Sequence, residues 1–383
     1  MVSHPAVVGV NQEPYRELAA RGWEVSLVVP SRWRHAFASG TVRPHAIEGL
    51  EGTLRPLPVA LAGSPQRHFY LARCGRLIAR ERPDVVFLEE ESFSLAASQW
   101  GRACGARAVP FGVQCAENID RPLPAPVRAM RTRVLARAAF VATRSNSAAE
   151  LARAWGARGE VRFTPHAIPT WSSLPPPRSS PSPEPERRPF TIGYAGRLTA
   201  SKGLPDLLEA VRTMSAPVEL LLVGDGELRA ELEGQEIPGS RVRVLTGVAH
   251  EQMADAYALM DVLVLPSRTT PTWKEQFGRV IVEALSRGVP VVGSDSGEIP
   301  WLVELTGGGL VFAEGDAAAL AARLTRLREE PALRAELAER GRRACEEHFS
   351  LRATTDVLEG LLRNAAAGAS SDAGAAEAAD PTH

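Results

Sequence analysis

The chain has 383 residues and 44% hydrophobic content, enough for a large core and for two domains of ordinary size. Its formal net charge is −1, yet the residues through Thr170 carry 22 Arg and Lys against 14 Asp and Glu, leaving the remainder at about −9. The basic first half suits an anionic acceptor, an anionic membrane surface or an Arg-rich solvated surface, and nothing in the pattern calls for nucleic acid as a partner. Cys74, Cys104, Cys115 and Cys345 lack ligand-like spacing. The start lacks a charged-then-apolar leader pattern and no apolar run of about 18 residues occurs, so the expectation is a cytoplasmic chain with reduced thiols, touching a membrane only peripherally.

In chain order, Val25 to Val29, Val85 to Leu88, Ala108 to Val113 and Phe140 to Thr143 read as strands separated by helical patterns. A Rossmann half normally opens on a buried strand. Here only Met1 and Val2 precede Ser3-His4-Pro5, so the expectation is either a start that lies upstream or a missing first strand. After seven prolines between Leu174 and Pro189 the pattern restarts, with strands at Phe190 to Ala195, Val218 to Val223, Val242 to Leu245, Val262 to Leu265 and Val289 to Val292. Ala317 to Glu329 and Pro331 to His348 read as helices. The expected division is a first α/β domain over 1–173, a Pro-rich linker over 174–189, a second α/β domain over 190–345, a helix over 346–363 returning to the first domain, and a disordered tail over 364–383 that lacks large apolar residues.

Two lysines stand against 42 arginines, and both fall in candidate ligand loops. Gly196-Arg197-Leu198-Thr199-Ala200-Ser201-Lys202-Gly203 lies between a strand and the helix starting near Leu204. There glycine lets the backbone approach a ligand, the helix N-terminus favours anions, and Arg197 and Lys202 add the charge to hold a diphosphate without a metal. The alternative is a strand-to-helix turn with two surface cations. In Glu275-Gln276-Phe277-Gly278-Arg279-Val280-Ile281-Val282-Glu283 the two carboxylates would stand about 12 Å apart if the segment is helical, near the span from hexose to ribose across a diphosphate. The N–H groups of Phe277, Gly278 and Arg279 would then face phosphate and hexose oxygens, although two solvated helix carboxylates give the same letters. Gly224-Asp225-Gly226-Glu227 and Thr246-Gly247-Val248 end neighbouring strands, and Gly247 and Val248 are candidates for the nucleobase.

The stretch from Gly193 to Val303 resembles the donor domain of family-four retaining glycosyltransferases (glycosyl transferases group 1). The match comprises G-R-x4-K-G at Gly196–Gly203, G-D-G-E-L at Gly224–Leu228, the strand end at Asp261–Ser267, the Glu-x7-Glu pair and G-V-P-V-V at Gly288–Val292. The resemblance implies the α/β GT-B fold, two Rossmann-like domains facing each other across a cleft. It also implies a nucleotide-sugar donor, UDP- or GDP-linked, and transfer of a hexose with retention to a hydroxyl of a glycan, lipid or natural product. Arg197 and Lys202 would hold the diphosphate, Glu283 the ribose and Glu275 the hexose end, with Gly196, Gln276, Phe277, Gly278 and Arg279 around them. Neither a metal nor another cofactor is implied. The competing reading is a non-catalytic relative that binds nucleotide sugar or a partner protein.

The first half matches more loosely, mainly over Tyr15 to Pro30. The usual twin-glycine loop keeps only Gly9, and where relatives carry a His-Asp pair this chain has Gln114-Cys115-Ala116-Glu117-Asn118. Gly9, Glu90, Gln114 and Asn118 are the candidates for acceptor contact, Glu90 as part of the acidic run Glu89-Glu90-Glu91 after the strand ending at Leu88, which fits either carboxylates facing a polar acceptor or a solvated acidic turn. Pro126 to Arg137 reads as an amphipathic basic helix, which fits either a membrane surface or a packed helix with a solvated basic side.

Overall fold

The computed structural model describes residues 1–34, 40–168 and 189–378, with side chains through Gly368. The chain divides into two compact units, Met1–Pro165 joined by the residues from Leu351 onward, and His166–Ser350. The proline run from Leu174 lies outside the described residues except for Pro189. Both units are α/β with all-parallel main sheets, built on the Rossmann plan.

In the first unit the sheet runs, in spatial order, Leu54–Leu57, Leu27–Pro30, Val2–Ser3, Val86–Glu91, Phe111–Cys115, Phe140–Thr143 and Glu160–Phe163. The expected loss of the first strand is corrected here. Val2 and Ser3 themselves form it, Val2 pairing with Val28 on one side and Leu88 on the other. Two residues suffice because neighbours on both sides supply the ladder, and Val2 and Ser3 are fully buried. Strand order reverses about this short strand, so the carboxyl ends of Val2–Ser3 and Val86–Glu91 form the topological switch point where ligands of open sheets bind.

Several strand limits move for the same reason. The strand read as ending at Leu88 runs through Glu91, with an irregularity between Leu88 and Glu91, and the one read from Ala108 occupies Phe111–Cys115. Ala108 sits at φ 53°, outside the extended region a strand requires.

One face of this sheet is covered by Leu95–Gly105 and Ala125–Arg137, with Trp100, Phe111, Leu135 and Trp155 in the core. The other is covered by Glu13–Ala20 and the C-terminal helix, through Tyr15, Leu18, Leu358, Leu361 and Leu362. That last helix extends over Leu351–Ala378, which corrects the expected disordered tail from Asn364 as far as Ala378. Alanine has the highest helix propensity, and a scarcity of large apolar residues argues against a core without arguing against a helix. Ala365 and Ala366 still pack on the first unit's core.

The helix is fastened by Glu359, which accepts from Trp23 Nε1 at 2.9 Å, Arg21 at 2.8 Å and Arg363 at 2.6 Å. The Trp23 indole first, then Arg21 and Arg363, lower the Glu359 carboxyl to about 2. A depressed carboxylate stabilises above its unfolded value and loses that contribution as it protonates. Amide protection in residues 351–366 is therefore expected to fall as pH drops from 4.5 toward 2. Glu359→Gln should flatten that dependence, and hydrogen exchange giving the same acid profile for both proteins would refute it.

In the second unit the order is Arg241–Leu245, Val218–Val223, Phe190–Ala195, Val262–Leu265, Val291–Ser294 and Gly309–Phe312. The four central strands are short apolar runs buried on both faces, as parallel sheets require, while the edge strands Arg241–Leu245 and Gly309–Phe312 are only partly covered. The switch point lies between Phe190–Ala195 and Val262–Leu265, which pair in parallel at Ile192 and Gly193. The helices Ala317–Glu329 and Pro331–His348 cover this sheet with Leu320, Leu324, Leu327 and Leu337.

Candidate active site

At the second unit's switch point the chain leaves Ala195 through Gly196 (φ 147°), passes Arg197 and Lys202, and enters the helix Leu204–Thr213 from Gly203 (φ 69°). Leu198 is wholly buried and Tyr194 Oη donates to Arg197 O at 2.6 Å, which fixes the loop backbone while the Arg197 side chain stays exposed. A Cβ on Gly203 would strike the carbonyl oxygen of Pro266, and one on Gly224 the carbonyl of Gly196. Glycine is needed at both because the loops from adjacent strands meet backbone to backbone. The Arg268 guanidinium grips Asp206 on the same helix, and Arg268 N–H donates to Ser201 O at 2.9 Å.

Glu275 is buried (8% exposed) against this loop, although it lies 73 residues from Lys202. Its Oε2 accepts from Lys202 Nζ at 2.7 Å and from Ser267 Oγ at 2.8 Å. The Lys202 ammonium lies 4.4 Å from the ring centre of Trp273, a cation–π contact. The Glu275 backbone is clamped as well, its carbonyl accepting from Glu298 N–H at 3.2 Å, where a Cβ on Gly297 would collide with it.

The segment from Glu275 to Glu283 is not one helix, which corrects the expected spacing. Gly278 is left-handed (φ 72°) and caps a helix that begins only at Arg279 and ends at Ser286. Leu265 and Ile281 crowd Gly278, so the chain must turn there. Phe277 and Gly278 precede the helix, and Ile281 N–H is taken by Gly278 O at 2.8 Å, which leaves the first-turn donors to Arg279 and Val280. Gln276 points to solvent, while the Phe277 ring packs against Phe349 and His166, 5.8 Å from each.

Glu283, 4% exposed, receives Tyr257 Oη at 2.8 Å and pairs with Arg279 at 2.9 Å. Arg279 also reaches His250 Nε2 at 3.3 Å. Burial and the neighbouring Arg279 lower the His250 pKa, so its ring is neutral at physiological pH. Gly247 (φ 68°) and Val248 lie just before His250 in the chain, Gly247 exposed with open space around its Cα. The second unit's edge thus carries a basic loop tied to a buried carboxylate, and a second carboxylate held by Tyr257 and Arg279. Ser267, Trp273, Tyr257 and His250 went unassigned in the sequence reading. Ser267 alone had a signal there, a hydroxyl two residues past a strand end.

In the first unit the acidic run is no solvated turn. Glu89 accepts from Ser3 Oγ and Tyr15 Oη, both at 2.6 Å, and from Arg144 at 3.0 Å. Glu90 is buried and bonded to His4 Nδ1 at 2.7 Å and His4 N–H at 3.0 Å. Glu91 Oε1 accepts from Ala116 N–H at 2.8 Å, and burial raises the Glu91 carboxyl to about 7. Gln114 lies within its strand, opposite Glu91, rather than after it, with Oε1 enclosed. Asn118 is buried at 3% exposure. Gly9 begins a turn of 3-10 helix over Gly9–Gln12 and faces Ile47 and His45.

In Ala125–Arg137, Val134 and Leu135 face the core and Arg131 turns inward, 3.8 Å over the Trp155 ring. Arg128, Arg133 and Arg137 stay exposed. Among the described residues no helix is long and apolar enough to cross a membrane.

Two family models match the chain, "Glycosyl transferase 4-like domain" over residues 10–167 and "Glycosyl transferases group 1" over 178–344. Alpha-D-kanosaminyltransferase of Streptomyces kanamyceticus is 30% identical over 182 residues, 46% of each chain. The lipopolysaccharide core biosynthesis glycosyltransferase LpsE of Rhizobium meliloti is 33% identical over 168 residues, 44% of this chain and 48% of that one. The aligned part spans about half the length of these curated relatives. Among solved structures, sucrose-phosphate synthase from Thermosynechococcus elongatus superposes with a TM-score of 0.67 at 19% identity, covering 95% of this chain and 97% of that one. Anabaena HepE in complex with UDP-glucose gives 0.64 at 19% identity over 95% and 98%. These likenesses establish the GT-B fold.

Proposed function

Because the chain belongs to the group 1 glycosyltransferases, with two models matching successive halves, we propose that the unit His166–Ser350 binds a nucleotide diphosphate sugar, UDP- or GDP-linked. In this reading the chain transfers the hexose, with retention and without a metal, to a hydroxyl of a glycan, lipid or natural product. The observation that carries the reading is the Lys202–Glu275–Ser267 cluster beside the Gly196–Gly203 loop. Arg197 and Lys202 supply positive charge where a diphosphate leaves with added negative charge, the function a metal serves elsewhere. Lys202 exchanges its contact with Glu275 for phosphate oxygens when donor binds. Glu275 then faces the hexose with Ser267 still orienting it.

At the other end of the donor, Glu283 accepts ribose hydroxyls in place of Tyr257, and Gly247 and Val248 offer backbone groups to the base. In a retaining transfer of this type the leaving phosphate takes the proton of the incoming hydroxyl on the same face of the sugar, so Glu275 stabilises charge and attacks nothing. Support for a catalytic reading over a merely binding one is that Glu275 and Glu283 are both buried and held by hydrogen bonds, and that Arg197 and Lys202 share the Gly196–Gly203 loop. The relatives' names extend the reading to glycan or natural-product acceptors, with Gly9, Glu90, Gln114 and Asn118 as candidate contacts in the first unit.

Thermal melting with UDP, GDP, ADP and dTDP, each with and without magnesium, tests the donor assignment. One nucleotide should raise the transition by several degrees, equally in both conditions, following mass action at saturating ligand. A shift that requires magnesium would refute the metal-free assignment, and no shift with any nucleotide would refute the donor site itself.

A further inference from the structure

We propose that His4, His68 and Glu90 form a binding site for one divalent transition-metal ion of the zinc type, buried at the switch point of the first unit. The three residues lie far apart in sequence, and their ligand atoms come within 4.8 Å of one another. His4 Nδ1 is 2.7 Å from Glu90 Oε2, and His68 Nε2 is 3.4 Å from Glu90 Oε1. His68 and Glu90 are fully enclosed, and the His4 side chain is 17% exposed. Two imidazoles and one carboxylate are the donor set of a zinc-type ion with an open fourth position. Magnesium and calcium take oxygen ligands instead.

The tautomer of His68 carries the argument. Its Nδ1 lies 3.1 Å from Pro65 O and 3.2 Å from Ser64 O, and carbonyl oxygens only accept, so the ring proton resides on Nδ1. In the neutral ring Nε2 is then a bare lone pair. It has no hydrogen-bond partner among the described residues, and a carboxylate oxygen, Glu90 Oε1, lies 3.4 Å from it. Two acceptors enclosed side by side need a cation between them. A ring whose other nitrogen donates to backbone carbonyls is also how a metal-binding histidine is oriented.

Tetrahedral bonds of about 2.1 Å place ligand atoms roughly 3.4 Å apart, so the His68–Glu90 separation already fits, while His4 must give up the proton it shares with Glu90 and the remaining ligand atoms, now within 4.8 Å of one another, must adjust around the ion. Trp33 packs on both rings, with centroids 5.0 Å from each, and Tyr70 lies beside His68 at 5.9 Å, an apolar wall that strengthens any bond inside it. The ion would tie together three segments: the turn after Val2–Ser3, the loop carrying His68, and the strand Val86–Glu91. The sequence points to no metal, since the cysteines lack ligand-like spacing and the resemblance implies none, and the three ligands come from separate segments.

The test uses the full chain freed of metal by a chelator, titrated with Zn²⁺ by calorimetry and with Co²⁺ by visible absorption. The expected result is one equivalent bound, with cobalt d–d bands of a nitrogen and oxygen site and a raised melting temperature. His68→Ala and Glu90→Gln should each weaken binding by more than about a hundredfold. Should either fail to fold, His4→Ala, at the partly exposed ligand, is expected to lose the cobalt bands while keeping the nucleotide-induced shift of the other unit. The proposal is overturned if wild type binds no equivalent, if affinity survives in the folded variants, or if the cobalt spectrum carries thiolate charge-transfer bands from the cysteines. It is overturned equally if nitrogen NMR of the zinc-treated chain finds His68 protonated on both nitrogens, a proton then filling the place assigned to the ion.

Discussion

Glu275→Ala is expected to lower kcat/KM for sugar transfer by at least about a hundredfold while leaving nucleotide diphosphate affinity within about threefold. The asymmetry follows from where the carboxylate sits. Its Oε2 is held by Lys202 at 2.7 Å and Ser267 at 2.8 Å, so in the free protein it competes with phosphate for the lysine. Removing it frees Lys202 for the diphosphate, and the nucleotide loses nothing it touches. On the proposed assignment, the hexose end loses the Glu275 carboxylate, and with it the stabilisation of charge that develops as the glycosidic bond breaks. Breaking the pair also leaves Lys202 partly buried and unpaired, so melting must be followed alongside rates. Glu275→Gln separates the two effects, because an amide oxygen still accepts from Ser267 but carries no charge. A variant that retains transfer, or one that loses nucleotide affinity in step with activity, would refute the assignment of Glu275 to the hexose end.

How much of this was legible beforehand depended on whether a feature is local. The strands Phe190–Ala195, Val218–Val223 and Val262–Leu265 and the helices Ala317–Glu329 and Pro331–His348 were readable to the residue, because each is a continuous apolar or periodic run bounded by Gly, Pro or Asp. Glu275 and Lys202 could be named from their motifs, but their 2.7 Å contact could not, since it depends on how strands either side of the switch point bring two loops together. The Glu275–Glu283 spacing was misjudged because Phe277 and Gly278 were counted with Arg279 among the helix N-terminal donors, when the left-handed φ of Gly278 sets a turn before the helix. The first strand was missed because two residues carry no periodicity, and Val2–Ser3 owes its conformation to Val28 and Leu88 on either side. The acidic run Glu89–Glu91 was placed after the strand end at Leu88, open to an acceptor-facing or a solvated-turn reading. Its partners Ser3, Tyr15, Arg144, His4 and Ala116 come from other segments, and burial with those partners makes it strand.

Gly203→Ala is expected to destabilise the second unit by about 3 kcal/mol or more, or to preserve stability only by pulling Lys202 away from Glu275 with a comparable loss of transfer. Two costs add at this position. At φ 69° any L side chain is strained by about 1 kcal/mol. The new methyl group also falls on the carbonyl oxygen of Pro266, a backbone atom that cannot swing aside as a side-chain tip would. Pro266 follows directly on the buried strand Val262–Leu265, and Ser267 O is held by Ser294 Oγ at 2.6 Å, so the overlap can be relieved only by shifting the strand end or the Gly196–Gly203 loop. Gly247→Ala is the control, since Gly247 has nearly the same φ, 68°, and a methyl group there would meet nothing within 4 Å. Its cost should be the conformational term alone, about 1 kcal/mol. Subtracting the two, measured on the unfolding transition that nucleotide shifts, isolates the steric term at the contact between the two loops. Equal, small effects at both positions with normal activity would mean that the loops do not meet as closely as the fold requires, and the phosphate-binding geometry built on that meeting would have to be abandoned.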